Sequence, residues 1–376
     1  MDTKMKIIAV LGAVLIVAGY MAFRNAPSAD LDTITIGGAY GLSGNCAEYG
    51  EGERDAAQMA ADEINAAGGI RGKILKIVVE DTQCENKTTV NAVQKLIYAD
   101  GVQAMIGPTW GDAYQGAASV IRNAKVVSIG PDTALEALEF QNESVDYLFS
   151  TYPPQRAEIA ALEGYAKGKG FRRVAMVWDQ DSYSTMMVKL FREAAPSYGI
   201  AISDEQEMPT GNQDFRTILA KLKADRPDAV FISFLAPHVK AGFLKQAKEL
   251  GLSSVILSAS DIQDASVLAS FGKFMDGAIY TYPKIPASKE AFSEKYRAIY
   301  KKDPQGPAAA NAYDAVRMIA EAFKNGAVTG TEIQEKLMAM TIPGTFAHEL
   351  RFDAKHQVEG GDFEVKTVRN GAFVSL

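Results

Sequence analysis

Two periodicities alternate along most of this chain. Residues 34–38 form an apolar run of strand length. Residues 51–67 repeat apolar positions at helical spacing, with Ala56, Met59, Ala60 and Ile64 on one face. Gly68-Gly69 then stops the helix, as glycine does at helix C-termini. Strands over 74–79, 102–107 and 126–129 follow, with helices over 88–100 and 113–124 between them. Strand–helix–strand order of this kind predicts a parallel sheet with helices on both faces.

A second set follows Pro153-Pro154. Its helices are predicted over 157–167, 183–197, 215–224 and 239–250, and its strands over 174–178, 201–207, 229–233 and 255–258. Two α/β lobes of similar size result. The tail departs from alternation: a strand over 277–282, helices over 289–300, 308–325 and 331–340, then β-like ends at 350–352 and 363–368. Those three helices need a sheet face to cover. Either lobe could supply it, which leaves a return to the first lobe open.

The first 30 residues have another pattern. Lys4 and Lys6 precede an apolar run from 7 to 23, and Arg24-Asn25-Ala26-Pro27-Ser28-Ala29 follows. This is the layout of a cleavable signal peptide over residues 1–29. The run also approaches the length of about 17–25 residues that spans a bilayer, so an uncleaved anchor is the competing reading. Cleavage would remove three positive charges (Lys4, Lys6, Arg24) and one negative (Asp2), moving the formal net charge from −7 to −9. An acidic body argues against nucleic acid as a partner.

Cys46 and Cys84 are the two cysteines. Each follows a predicted strand, so parallel neighbours would bring both to one sheet edge. Export would place them where disulfides persist. A Cys46–Cys84 bridge is expected, with two free thiols as the alternative. The three histidines, His238, His348 and His356, lack partners at metal-ligand spacing. Gly41-Leu42-Ser43-Gly44 is not a hydrolase elbow, and no phosphate loop or dinucleotide fingerprint exists. The sequence therefore predicts neither an enzyme nor a cofactor.

One stretch carries a resemblance. Leu42-Ser43-Gly44, Tyr49-Gly50 and Glu63-Ile64-Asn65 with Gly68-Gly69 are similar, in order, to the opening of type I periplasmic solute-binding proteins of ABC transporters, in the leucine/isoleucine/valine-binding branch. Ile106-Gly107-Pro108, Asp179 with Tyr183, Asp214-Phe215, Asp228-Ala229-Val230 and Tyr313-Asp314-Ala315 extend the likeness over about residues 32–370. The resemblance implies an α/β fold of two Rossmann-like lobes joined by three hinge crossings near Thr151-Tyr152, Tyr282-Pro283 and Phe352-Asp353. Lobe 1 would comprise 30–151 plus 283–352, and lobe 2 152–282 plus 353–376. It further implies a monomeric periplasmic or extracytoplasmic receptor that binds a small polar solute, an amino acid or related compound, and delivers it to a membrane permease. A membrane-anchored ligand sensor of the same fold is the alternative.

The resemblance also implies site residues. Tyr49, Trp110, Gly111, Asp112, Asp132 and Thr133 would line the cleft from lobe 1, near the solute carboxylate. Tyr183 and Phe234 would line it from lobe 2, and Asp261 would hold an α-amine. Asp112 and Asp132 depart from the family's hydroxyl-rich pattern. They would suit a cationic or hydroxylated ligand, or would simply cap the helices that follow them.

Overall fold

From Thr33 to Tyr40 the chain extends as β1, with Ile34, Ile36 and Tyr40 buried. This computed structural model describes residues 33–376 apart from 264, 285–287, 305 and 346–348. The leader at 1–29 and His348 lie outside the described residues. Helix α1 (Ala47–Ala66), β2 (Ile74–Asp81), α2 (Asn86–Gln94), β3 (Ala104–Ile106), α3 (Gly111–Ala124), β4 (Val127–Gly130), α4 (Glu136–Phe140) and β5 (Leu148–Ser150) complete the first alternation. The sheet runs β2-β1-β3-β4-β5, parallel throughout. Every position of β3, β4 and β5 is buried, as expected of strands covered on both faces.

The second alternation is α5 (Gln155–Gly168), β6 (Arg173–Asp179), α6 (Ser182–Ala194), β7 (Ala201–Met208), α7 (Arg216–Asp225), β8 (Ala229–Ser233), α8 (Pro237–Glu249), β9 (Val255–Ser258), α9 (Ala265–Met275) and β10 (Ile279–Pro283). Then come α10 (Ser288–Tyr300), α11 (Ala308–Lys324), α12 (Gly330–Ala339), the short β11 (Ile342–Pro343) and β12 (Glu349–Leu350), and finally β13 (Phe363–Arg369) and β14 (Ala372–Ser375). The strands β7-β6-β8-β9-β10 repeat the order of the first sheet, and β13 and β14 extend that sheet antiparallel.

The late helices cover the first sheet. α11 is apolar nearly all round and packs along α1. Tyr313 Oη donates to Glu63 Oε2 (2.6 Å) and Tyr300 Oη to the Asp55 carbonyl (2.6 Å). One apolar core therefore joins Ile36, Met59 and Ile106 to Tyr296, Ile319 and Leu337.

The chain passes between the sheets three times, after β5, β10 and β12, and the connections lie side by side. Ser150 N donates to His356 O (3.0 Å), Val358 N to Ser150 O (2.9 Å) and Lys284 N to Asp362 O (2.7 Å). His356 stacks on Phe149 at 4.2 Å, and His238 is exposed on α8. Five elements escape the periodicity: α4, β5, α9, β11 and β14. The helix expected over 88–100 is instead α2 followed by a wider π-type turn at Lys95–Ala99.

Candidate functional site

In each sheet the strand order reverses direction beside its first strand, and loops leaving that switch point diverge to form a crevice. In the first sheet these are the loops after β1 and β3. Cys46 and Cys84 are joined in a disulfide that ties the start of α1 to the end of β2. Gly41 lies against both sulfurs, and a Cβ there would overlap them; a Cβ on Gly50 would meet the Gly41 carbonyl. The small residues of this loop thus let α1 and the disulfide approach β1. Asp81 holds the loop's far side, accepting from Leu42 N (2.9 Å) and Ser43 Oγ (2.6 Å).

Beyond β3, Thr109 is buried and donates to Glu53 Oε2 (2.5 Å) while accepting from Gly41 N (3.1 Å). Trp110 then takes φ +67, a backbone state that non-glycine residues adopt rarely and that clusters at ligand sites. Its ring lies 5.9 Å from that of Tyr49, and its side chain hydrogen-bonds the Asp132 carboxyl. Burial pushes Asp132 up to about 6, with the Trp110 bond opposing. Thr133 donates to Pro108 O (3.3 Å) within its own lobe. Neither aspartate caps a helix: the residue before α3 is Trp110, and the one before α4 is Leu135.

Gly111 begins α3, and Asp112 in the same turn accepts a hydrogen bond from Ser182 Oγ of the second lobe. Burial, then the Asp181 charge, raises the Asp112 carboxyl above its ordinary value. Asp181 caps α6 by accepting from Ser184 N (2.8 Å). Tyr183 follows. Across the connection after β5, Tyr152 Oη lies 3.2 Å from Ser260 Oγ. Tyr152, Tyr183 and Tyr282 converge here, and the charges of both Asp132 and Glu158 act on all three.

Two expected contacts fall elsewhere. Phe234 is fully buried, packed 5.5 Å from Phe215 and 5.4 Å from Phe243 in the second lobe's own core. A side chain enclosed by two phenylalanines lines no cleft. Asp261 is buried against Lys240, whose Nζ lies 2.8 Å from its Oδ2 and also donates to its backbone carbonyl. Burial pushes the Asp261 carboxyl up, and Lys240 pulls it back. The ammonium that a free Asp261 would take from a solute is supplied from within the protein.

Sequence reasoning missed Lys240 and Glu158. Glu158 lies in the first turn of α5, fully buried, and accepts from Ser260 N (2.5 Å) and Thr281 Oγ1 (3.2 Å) through Oε1. Burial pushes its carboxyl up to about 8. Its signal was present in the sequence: a charged residue on the apolar stripe of Ile159, Leu162 and Ala166. Among the described residues no group of three or more His, Cys, Asp or Glu side chains is placed to hold a metal ion, and no helix is long and apolar enough to cross a membrane.

A model of the family described as "Periplasmic binding protein" matches residues 33–371. The leucine-, isoleucine-, valine-, threonine- and alanine-binding protein of Pseudomonas aeruginosa is 27% identical over 370 residues, covering 94% of each chain. The solved structure of the branched-chain amino acid transporter substrate binding protein LivJ from Streptococcus pneumoniae, in complex with isoleucine, superposes with a TM-score of 0.78. It is 27% identical and covers 92% of this chain and 99% of its own. A solute binding protein of an ABC transporter from Rhodopseudomonas palustris, in complex with 3,4-dihydroxybenzoic acid, shares the fold with a TM-score of 0.76. It is 22% identical and covers 92% of this chain and 96% of its own.

Proposed function

This chain belongs to the periplasmic binding protein family, a family of solute-binding receptors rather than enzymes, and on that footing we propose that it is the extracytoplasmic receptor of an ABC transporter. It binds a small polar solute, an amino acid or related compound, between its lobes and presents it to a membrane permease. Residues 1–29 direct export and are removed. The mature chain acts as a monomer, with lobe 1 formed by 30–151 and 283–352 and lobe 2 by 152–282 and 353–376.

One observation carries this reading: loops at the carboxyl ends of both sheets meet, and the Ser182 hydroxyl of lobe 2 donates to the Asp112 carboxylate of lobe 1 across the gap. A solute touching both sides stabilises the closed arrangement it alone can fill, and the three connections flex near 151–152, 282–283 and 352–353. Tyr49, Trp110, Gly111, Asp112 and Asp132 face it from lobe 1, and Tyr183 from lobe 2. The test is a thermal-shift screen of amino acids, amides, amines and aromatic acids, followed by small-angle scattering. A solute at about 100 times its dissociation constant adds about 2.7 kcal/mol of stability and shrinks the radius of gyration. A scattering profile that stays the same with every solute in the panel argues against closure.

A further inference from the structure

We infer that the group this cleft recognises is a cation, an ammonium or amidinium, seated between Asp132 of the first lobe and Glu158 of the second. This rests on the receptor reading above and adds the charge of the ligand and the residues that read it.

The argument begins with where acids stand and what already answers them. Asp261, the acid expected to take an amine, is neutralised by Lys240. Glu158 uses Oε1 for Ser260 and Thr281, while its Oε2 is fully buried with no hydrogen-bond partner. Asp132 has the Trp110 side chain as its hydrogen-bond partner and Glu53 as a further acid nearby. Its neighbour Thr133 is tied to the same place: Ser150 Oγ donates to the Thr133 carbonyl (2.6 Å) and accepts from Tyr152 N (3.0 Å), and Tyr152 Oη lies 3.2 Å from the hydroxyl of Ser260, whose N–H donates to Glu158. The charges of both carboxyls act on Tyr152, Tyr183 and Tyr282. The charged groups facing this place are thus Asp132, Glu158, Asp261 with its Lys240, and, further out, Glu53 and Asp181.

A buried carboxylate without a counter-charge is costly, and a cation between two of them removes that cost. Three tyrosine rings and hydroxyls provide both faces and acceptors for such a group. A solute carboxylate in the same position would stand beside the ionised Asp132 and leave Glu158 without a counter-charge. The pose carried over from the resemblance, with a carboxylate on the Asp132 side, is therefore reversed here. In the absence of a cation burial pushes the Glu158 carboxyl up to about 8, so it holds a proton at neutral pH, while Asp132, at about 6, is mostly ionised. An arriving cation displaces the Glu158 proton.

Titration calorimetry of the purified protein with putrescine, benzamidine, L-leucine and benzoate tests this, run at pH 7 in phosphate and in Tris. Putrescine or benzamidine should bind more tightly than L-leucine or benzoate, with net proton release seen as a buffer-dependent enthalpy. The affinity for that cation should rise between pH 6 and pH 8, and Glu158→Gln and Asp132→Asn should each lower it at least tenfold. Proton release by the unaltered protein reads the same site should either variant fail to fold. Tighter binding of L-leucine or benzoate than of both cations, with closure by scattering, overturns the cation assignment and leaves the receptor reading standing. Binding of the cation without proton release and without loss in either variant overturns the assignment to Asp132 and Glu158. If none of the four binds, the cation assignment falls as well, and the receptor reading is judged separately by the broad solute screen.

Discussion

Lys240 and Asp261 form a buried ion pair inside the second lobe, and its two halves are not equivalent to two separate residues. Lys240→Met should leave a buried carboxylate unanswered and lower unfolding stability by about 3–5 kcal/mol. Replacing both residues by apolar ones of similar volume should recover most of that loss, as read by urea unfolding. Glu158, Asp132 and Asp179 work in the opposite sense. Burial pushes them up to about 8, 6 and 6, above the roughly 4 of an unfolded carboxyl. Between those values the folded chain binds more protons than the unfolded one, so their contribution falls as pH rises from about 4 to about 8. The ligand-free protein should therefore have a lower urea midpoint at pH 8 than at pH 5, and Glu158→Gln should flatten the slope between pH 6 and 8. A slope unchanged in that variant would show that other groups carry it.

The elements around the first crevice depend on what glycine leaves out. In an ordinary exposed helix interior, Gly→Ala stabilises by about 1 kcal/mol. Gly50 in α1 should reverse that sign, because its Cβ would meet the Gly41 carbonyl. Gly50→Ala should lower the melting temperature, whereas alanine at Gly168 near the end of α5, where nothing lies within 4 Å, serves as the control. Reducing Cys46–Cys84 frees a loop with a sequence separation of 38 residues and should lower stability by up to about 4 kcal/mol on the loop-entropy account. Such spacings are invisible to periodicity, which explains what the sequence displayed and what it hid. The strands at Ala229–Ser233 and Val255–Ser258 were legible to the residue, because an apolar run between turn signals is a local property. The three-residue β5 and five-residue α4 are too short to show a period. The stretch Ala265–Met275 is apolar over most of its positions and shows no stripe. The same holds for the candidate site: motif order placed Trp110 and Asp132 in loops and Asp112 and Tyr183 at the starts of α3 and α6, whereas the engagement of Asp261 by Lys240 depends on an approach between helix and loop that no spacing encodes.

At the scale of the molecule, Ser182 and Asp112 form a latch between the lobes. Ser182→Ala should shift the ligand-free protein towards the open form, seen as a larger radius of gyration by scattering, and should weaken any solute that requires closure. An unchanged radius would mean that the latch holds nothing shut. The return of α10–α12 to the first sheet bears on a different matter, the order of events in time. Tyr313 meets Glu63 across 250 residues of chain. At synthesis rates of about 5–20 residues per second, that separation is tens of seconds. Throughout that interval β1–β5 and α1 exist without the helices that complete their core, so the first-made part of the protein cannot complete its core until those helices have been made. Under the export proposed above, this delay would keep the leading part of the chain from locking into its final form until its trailing third has arrived on the same side.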